Sequence, residues 1–112
     1  VVAPAVGAVV LVPFPFSDLS ASKLRPALVL ASAGRGDWVC AQITSNPYAD
    51  SSAIELGKAG YSQGSLERVS YIRPNKLFTA SESLFRRNVA QVTRPIMNDT
   101  VEAVVGLLRG SV

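Results

Sequence analysis

Proline and glycine cut the apolar sequence of this chain into pieces that suit short β-strands. Turn signals recur about every 8–12 residues between runs rich in β-branched side chains, a spacing that points to a small barrel or sandwich. Residues 8–14 (AVVLVPF) predict a buried strand, with Pro13 and Pro15 ending it. A polar loop is expected over 17–24. Arg25-Pro26 then opens a second strand, ALVLAS, which stops at the Ala-Gly-Arg-Gly-Asp turn of 33–37. Residues 38–45 (WVCAQITS) predict a third strand, with Val39, Ala41 and Ile43 on one face and Trp38, Cys40, Gln42 and Thr44 on the other. Asn46-Pro47 breaks it. A short strand is expected at Ala53–Leu56, a long loop at Gly57–Glu67, two short strands at 69–73 and 76–80, and another at Val89–Val92.

The end of the chain changes period. Ile96, Val101, Val104, Val105 and Leu108 recur at helical spacing. Thr93 or Arg94 precedes Pro95, which favours a first helical turn. Asp99 and Glu102 early and Arg109 late are expected to suit the helix dipole, and Gly110 to cap the end. The expectation is a mainly β single domain over 1–112, core about 7–109, closed by one helix.

What is absent narrows the chemistry. With no histidine, a Ser-His-Asp triad, a Cys-His pair, His-ligated zinc and paired-histidine ribonuclease chemistry are excluded. One cysteine, Cys40, excludes an internal disulfide and a Cys metal cluster and fits a reducing compartment. Residues 1–12 are apolar, but Pro4, Gly7 and the lack of a basic start make a poor signal peptide. No run approaches the ~20 apolar residues of a membrane helix. The formal charge is +3, and eight of the eleven basic residues are arginine, the side chain best suited to bidentate phosphate contact. That balance favours a nucleic-acid partner.

Arg25 sits where a polar loop enters an apolar strand, a place from which it can grip phosphate or pair with Asp18. Thr44 and Ser45 end the third strand, where a hydroxyl can bind phosphate or ribose or satisfy a turn. Arg73 and Lys76 flank Pro74-Asn75 and, with Arg68 and Arg25, are expected to form a basic groove. Arg86, Arg87 and Arg94 read as solvated. Tyr48, Tyr61 and Tyr71 are candidates for base stacking, with packing the competing role for Tyr71. Trp38 and Cys40 read as packing residues.

The order of these motifs resembles the MazF/PemK toxins. Gly7-Ala8-Val9-Val10-Leu11-Val12, Phe14-Pro15-Phe16, Lys23-Leu24-Arg25-Pro26, Gln42-Ile43-Thr44-Ser45 and Ser70-Tyr71-Ile72-Arg73-Pro74-Asn75-Lys76-Leu77 carry the resemblance, followed by the terminal helix. It implies an SH3-like β-barrel with a C-terminal helix, usually a homodimer. It also implies a toxin of a type II toxin–antitoxin pair, working in the bacterial cytoplasm as a metal-independent, cofactor-free endoribonuclease on single-stranded RNA. A partly disordered acidic antitoxin would neutralise it. Arg25 and Thr44 match the family's active-site arginine and threonine, and Arg73 a second arginine of some branches. Asp18, Ser22, Lys23, Ser45, Arg68, Asn75 and Lys76 are the expected RNA contacts. Some branches carry a carboxylate, proposed as the base, where this chain has Asn75; Asp18 is then the nearest acid by loop position. Two other readings compete: a gyrase-binding toxin like CcdB, and an RNA-binding barrel that has lost catalysis.

Overall fold

The computed structural model describes residues 4–15, 22–47 and 50–111, with only the backbone of Pro15 and Ser22. Asp18 and Tyr48 lie outside the described residues.

Seven strands form one sheet: β1 (Ala8–Pro15), β2 (Ser22–Gly34), β3 (Asp37–Thr44), β4 (Ile54–Leu56), β5 (Tyr61–Gly64), β6 (Ser70–Ser81) and β7 (Arg87–Val92). Helix α1 follows at Arg94–Leu108. The spatial order is β4-β6-β3-β2-β1-β7-β5, and every pairing is antiparallel. The two edge strands, β4 and β5, are joined by a single 3₁₀ turn at Lys58–Gly60, so the sheet curls back on itself into a nearly closed barrel. This is the mainly β barrel with a terminal helix that the motifs imply.

The barrel interior draws one side chain set from almost every strand: Val9, Leu28, Ala41, Ile43, Leu56, Ile72, Ala90 and Val92. Ile96 and Met97 of α1 pack against it. The opposite face of β1, β2 and β3 is apolar too, through Ala8, Val10, Val12, Ala27, Val29 and Cys40. Phe14, Trp38, Phe78 and Phe85 cover this second cluster, with Phe14 edge-on to Phe78 at 5.1 Å between ring centroids. Trp38 packs as expected, its indole N–H donating to Glu82 Oε1 at 3.2 Å. Cys40 is fully buried, and burial pushes its thiol up to about 11.

Four local expectations need correction. β1 runs through Pro13 to Pro15, because its ladder to β7 stops at Leu11. Beyond that point one side of β1 has no partner strand among the described residues, and an edge tolerates proline's missing donor. β2 begins at Ser22, inside the expected loop, because Lys23 and Leu24 pair with Phe14 and Pro13. The predicted loop 57–67 contains β5, which pairs with β7. The two strands expected at 69–73 and 76–80 are one strand. β3 pairs Ala41 with Leu77 and Gln42 with Arg73, so Pro74, Asn75 and Lys76 form a bulge that absorbs the proline without ending the strand.

Thr93 caps α1, accepting from Ile96 N, while its own N–H donates to Gly60 O at 2.8 Å and ties the helix to the 3₁₀ turn. Gly110 lies at φ +71°, as a C-terminal cap requires. The dipole expectation fails: no acid lies in the first turn, and Asp99 and Glu102 are beyond the reach of the N-terminal partial charge.

Candidate active site

β6, β3 and β2 are neighbours, and their register fixes which residues share a face. Ala27 of β2 pairs with Gln42 of β3, and Gln42 with Arg73 of β6. One step of two residues along, Thr44 pairs with Tyr71, and Arg25 lies two residues before Ala27. Alternation therefore puts Arg25, Gln42, Thr44, Tyr71 and Arg73 on the outer face, while Leu28, Ala41, Ile43 and Ile72 point into the barrel. Arg25 and Arg73 stand on strands two spacings apart, about 10 Å.

At the end of β2 and β3 lies a groove of about 310 Å³. Lys23, Arg25, Thr44, Ser45 and Arg68 all line it, so five of the expected contacts converge. Glu67 lines it too and is the acid among the residues lining this groove. The sequence reading missed Glu67, since nothing local distinguishes it from a solvated loop acid.

The Thr44 hydroxyl takes part in a tight turn. It donates to Asn46 O at 3.0 Å and accepts from Asn46 N at 3.1 Å. This is the turn chemistry expected of a strand-end threonine. It also fixes the side chain beside Arg25.

Arg73 is not among the groove's lining residues, and neither are Asn75 and Lys76; the basic groove is smaller than expected. Arg73 has a different setting. Its Nε donates to Asp50 Oδ2 at 2.9 Å, and its Nη1 reaches Gln42 Oε1 at 3.5 Å. The hydrogen bond from Arg73 and the guanidinium charge hold the Asp50 carboxyl below the usual carboxylate range, against the opposing effect of burial. Asn75 and Lys76 are exposed in the adjacent bulge. Tyr71 is half-buried on the outer face beside Thr44. Tyr61 packs against the barrel interior, which removes it from the stacking candidates. Ser22 belongs to β2 by its backbone, and Asp18 lies outside the described residues.

Asp50 was also missed. The signal for it is the Asp-Ser-Ser run after Asn46-Pro47, an Asx-turn pattern that the structure realises as Ser52 N donating to Asp50 Oδ1 at 2.9 Å.

Comparison with known proteins agrees with this architecture. A search of curated protein sequences finds no match. Among solved structures, a MazE–MazF complex from Deinococcus radiodurans aligns with a TM-score of 0.77 at 18% identity, covering 98% of each chain. An endoribonuclease in complex with its cognate antitoxin from a mycobacterial species aligns at 0.73 and 17% identity, over 97% of this chain and 96% of that one. An endoribonuclease from a mycobacterial species aligns at 0.71 and 20% identity, over 96% and 93%. Identities this low speak for the fold. The sequence itself matches a family over residues 5–108, and the chain thereby belongs to the PemK-like, MazF-like toxins of type II toxin–antitoxin systems.

Proposed function

We propose that this toxin is an endoribonuclease that cuts single-stranded RNA at the Arg25–Thr44 groove. The observation that carries the reading is the convergence of Arg25, Thr44 and an acid, Glu67, on one groove, with a second arginine on the same sheet face. RNA brings its own nucleophile, the ribose 2′-OH, so the protein needs no Ser, Cys or metal-bound water to attack phosphorus. Its task is to hold the phosphate in line and to stabilise the charge that develops on it.

Arg25 grips the scissile phosphate with a planar fork that matches two oxygens. Thr44 orients a non-bridging oxygen, exchanging its bond to Asn46 O for one to the phosphate. Glu67 takes the proton from the 2′-OH, in place of a carboxylate at position 75. As the 2′-oxygen bonds to phosphorus, the bond to the 5′-oxygen breaks, leaving a 2′,3′-cyclic phosphate and a 5′-OH. The departing oxygen takes its proton from water. Arg73 steadies that oxygen electrostatically, because a guanidinium holds its proton too tightly to be a good proton donor. Lys23, Ser45, Arg68, Asn75 and Lys76 bind the flanking RNA.

Two copies pair, covering the exposed Val101, Leu107 and Leu108 of the terminal helix. A partly disordered acidic antitoxin segment competes with RNA for the basic groove. A toxin that cuts messenger RNA acts in the cytoplasm.

The deciding experiment is cleavage of a mixed-sequence RNA by purified protein in EDTA, with the ends mapped. Cuts at a recurring short sequence with cyclic-phosphate ends, lost in Arg25→Ala and Thr44→Ala, are expected. A folded protein that cuts nothing sinks the nuclease reading and directs attention to binding, with gyrase inhibition tested next. A monomer in sedimentation at micromolar concentration removes the dimer.

A further inference from the structure

We propose that Asp50 is a positioning residue for Arg73, taking the guanidinium Nε and so fixing the plane of that cation on the face where RNA is cut. The proposal rests on the nuclease reading above and adds a residue to it.

The first observation is how completely Asp50 is itself held. Its N–H donates to Pro47 O at 2.8 Å and its carbonyl accepts from Ala53 N at 3.2 Å. Oδ1 accepts from Ser52 N at 2.9 Å and Oδ2 from Arg73 Nε at 2.9 Å. Each carboxylate oxygen has its own donor, so the carboxylate is a fixed anchor rather than a swinging surface acid.

The second observation is burial. The Asp50 side chain is 6% exposed and that of Arg73 15%. Exposed ion pairs are screened and contribute little, whereas a part-buried pair is screened less. Both Asp50 carboxylate oxygens are already engaged, which separates it from the proton-accepting role given to Glu67.

The third is where the contact falls on the guanidinium. A free arginine side chain samples many rotamers. A carboxylate on Nε with Gln42 at Nη1 fixes the long side chain before substrate arrives. Preorganised charge is what stabilises a phosphorane without reorganisation during the reaction.

The test is single-turnover cleavage of a labelled mixed-sequence transcript at rising protein concentration, well below the melting temperature of each variant. Asp50→Asn is expected to lower the maximal rate by about 10- to 100-fold, the scale of a misplaced catalytic group, with the half-saturating concentration nearly unchanged. Asp50→Glu is expected to recover part of that rate. Arg73→Ala should be slower still, and the double variant no slower than Arg73→Ala alone. A second measurement needs no Asp50 variant. The Arg73 Nε–H resonance of the wild type, assigned by its loss in Arg73→Lys, should exchange slowly with solvent. Full-rate cleavage by Asp50→Asn beside a slow Arg73→Ala overturns the proposal, as does an Arg73 Nε–H that exchanges as fast as those of exposed arginines. If Arg73→Ala cleaves at the wild-type rate, Arg73 leaves the reaction and the role of Asp50 goes with it. A wild type that cuts no RNA removes the nuclease reading itself.

Discussion

The inner and outer faces of β2, β3 and β6 share the same strands and the same register, yet they are built differently. The middle of the inner face is apolar: Leu28, Ala41, Ile43 and Ile72 are all at most 1% exposed. The outer face changes along the strands. Near the β2–β3 turn it is apolar, with Val29 and Cys40 under an aromatic cover that includes Trp38. Towards Ser45 it becomes Arg25, Gln42, Thr44 and Arg73. The difference teaches that the interior and one half of the outer face carry the packing. That leaves the other half of the outer face open to polar chemistry, provided each buried polar group there finds a partner.

Substitutions on the two faces should therefore fail in different ways. Leu28→Ala removes a fully buried interior side chain and is expected to cost about 2–5 kcal/mol in chemical denaturation. The surviving folded fraction should cut RNA normally; a specific catalytic loss would blur the division between the faces. Glu67→Gln should do the opposite. If it removes the proton acceptor, cleavage falls by about 10²-fold while the denaturation midpoint stays put.

A third test concerns the polar half of the outer face alone. The folded-state pKa of Asp50 lies below its ordinary value, so in acid the unfolded chain binds a proton that the folded chain does not. The stability this contributes is fully present above about pH 4, the unfolded carboxylate value, and is lost as pH falls through the lower folded one. Melting followed from pH 6 to pH 2 should show a steeper acid loss for the wild type than for Asp50→Asn. Equal slopes would mean that the buried pair adds no stability.

The smallest effect is expected far from the site. The β2–β3 turn places Arg35 at φ +57° and Gly36 at φ +79°, between the paired Gly34 and Asp37. Both central residues of such a hairpin turn need positive φ, which asparagine adopts more readily than arginine. Arg35→Asn should raise stability by about 0.5–1 kcal/mol and leave cleavage untouched.

Several of these features are legible in the order of residues alone. The turn at 33–37, the third strand, the capped terminal helix and the packing roles of Trp38 and Cys40 follow from local periodicity and turn chemistry. Arg25 and Thr44 stand out through the resemblance of their motifs, and the fold brings them to one groove. β5 is hidden because Tyr-Ser-Gln-Gly has no apolar alternation; it is a strand only because β7 offers it a ladder. Pro74 reads as a strand break because proline lacks a donor, and a three-residue bulge supplies the way round it.

By itself, then, the sequence determined the local alphabet of this protein: where strands are favoured, where turns must fall, and where one helix starts and stops. These are properties of neighbouring residues, set by backbone sterics and by the spacing of apolar side chains. Only the tertiary structure decided that Asp50 meets Arg73 and that Glu67 shares a groove with Arg25 and Thr44. Those meetings depend on strand register and on loops closing across the sheet, and a carboxylate 23 residues away along the chain leaves no local mark of the cation it will hold.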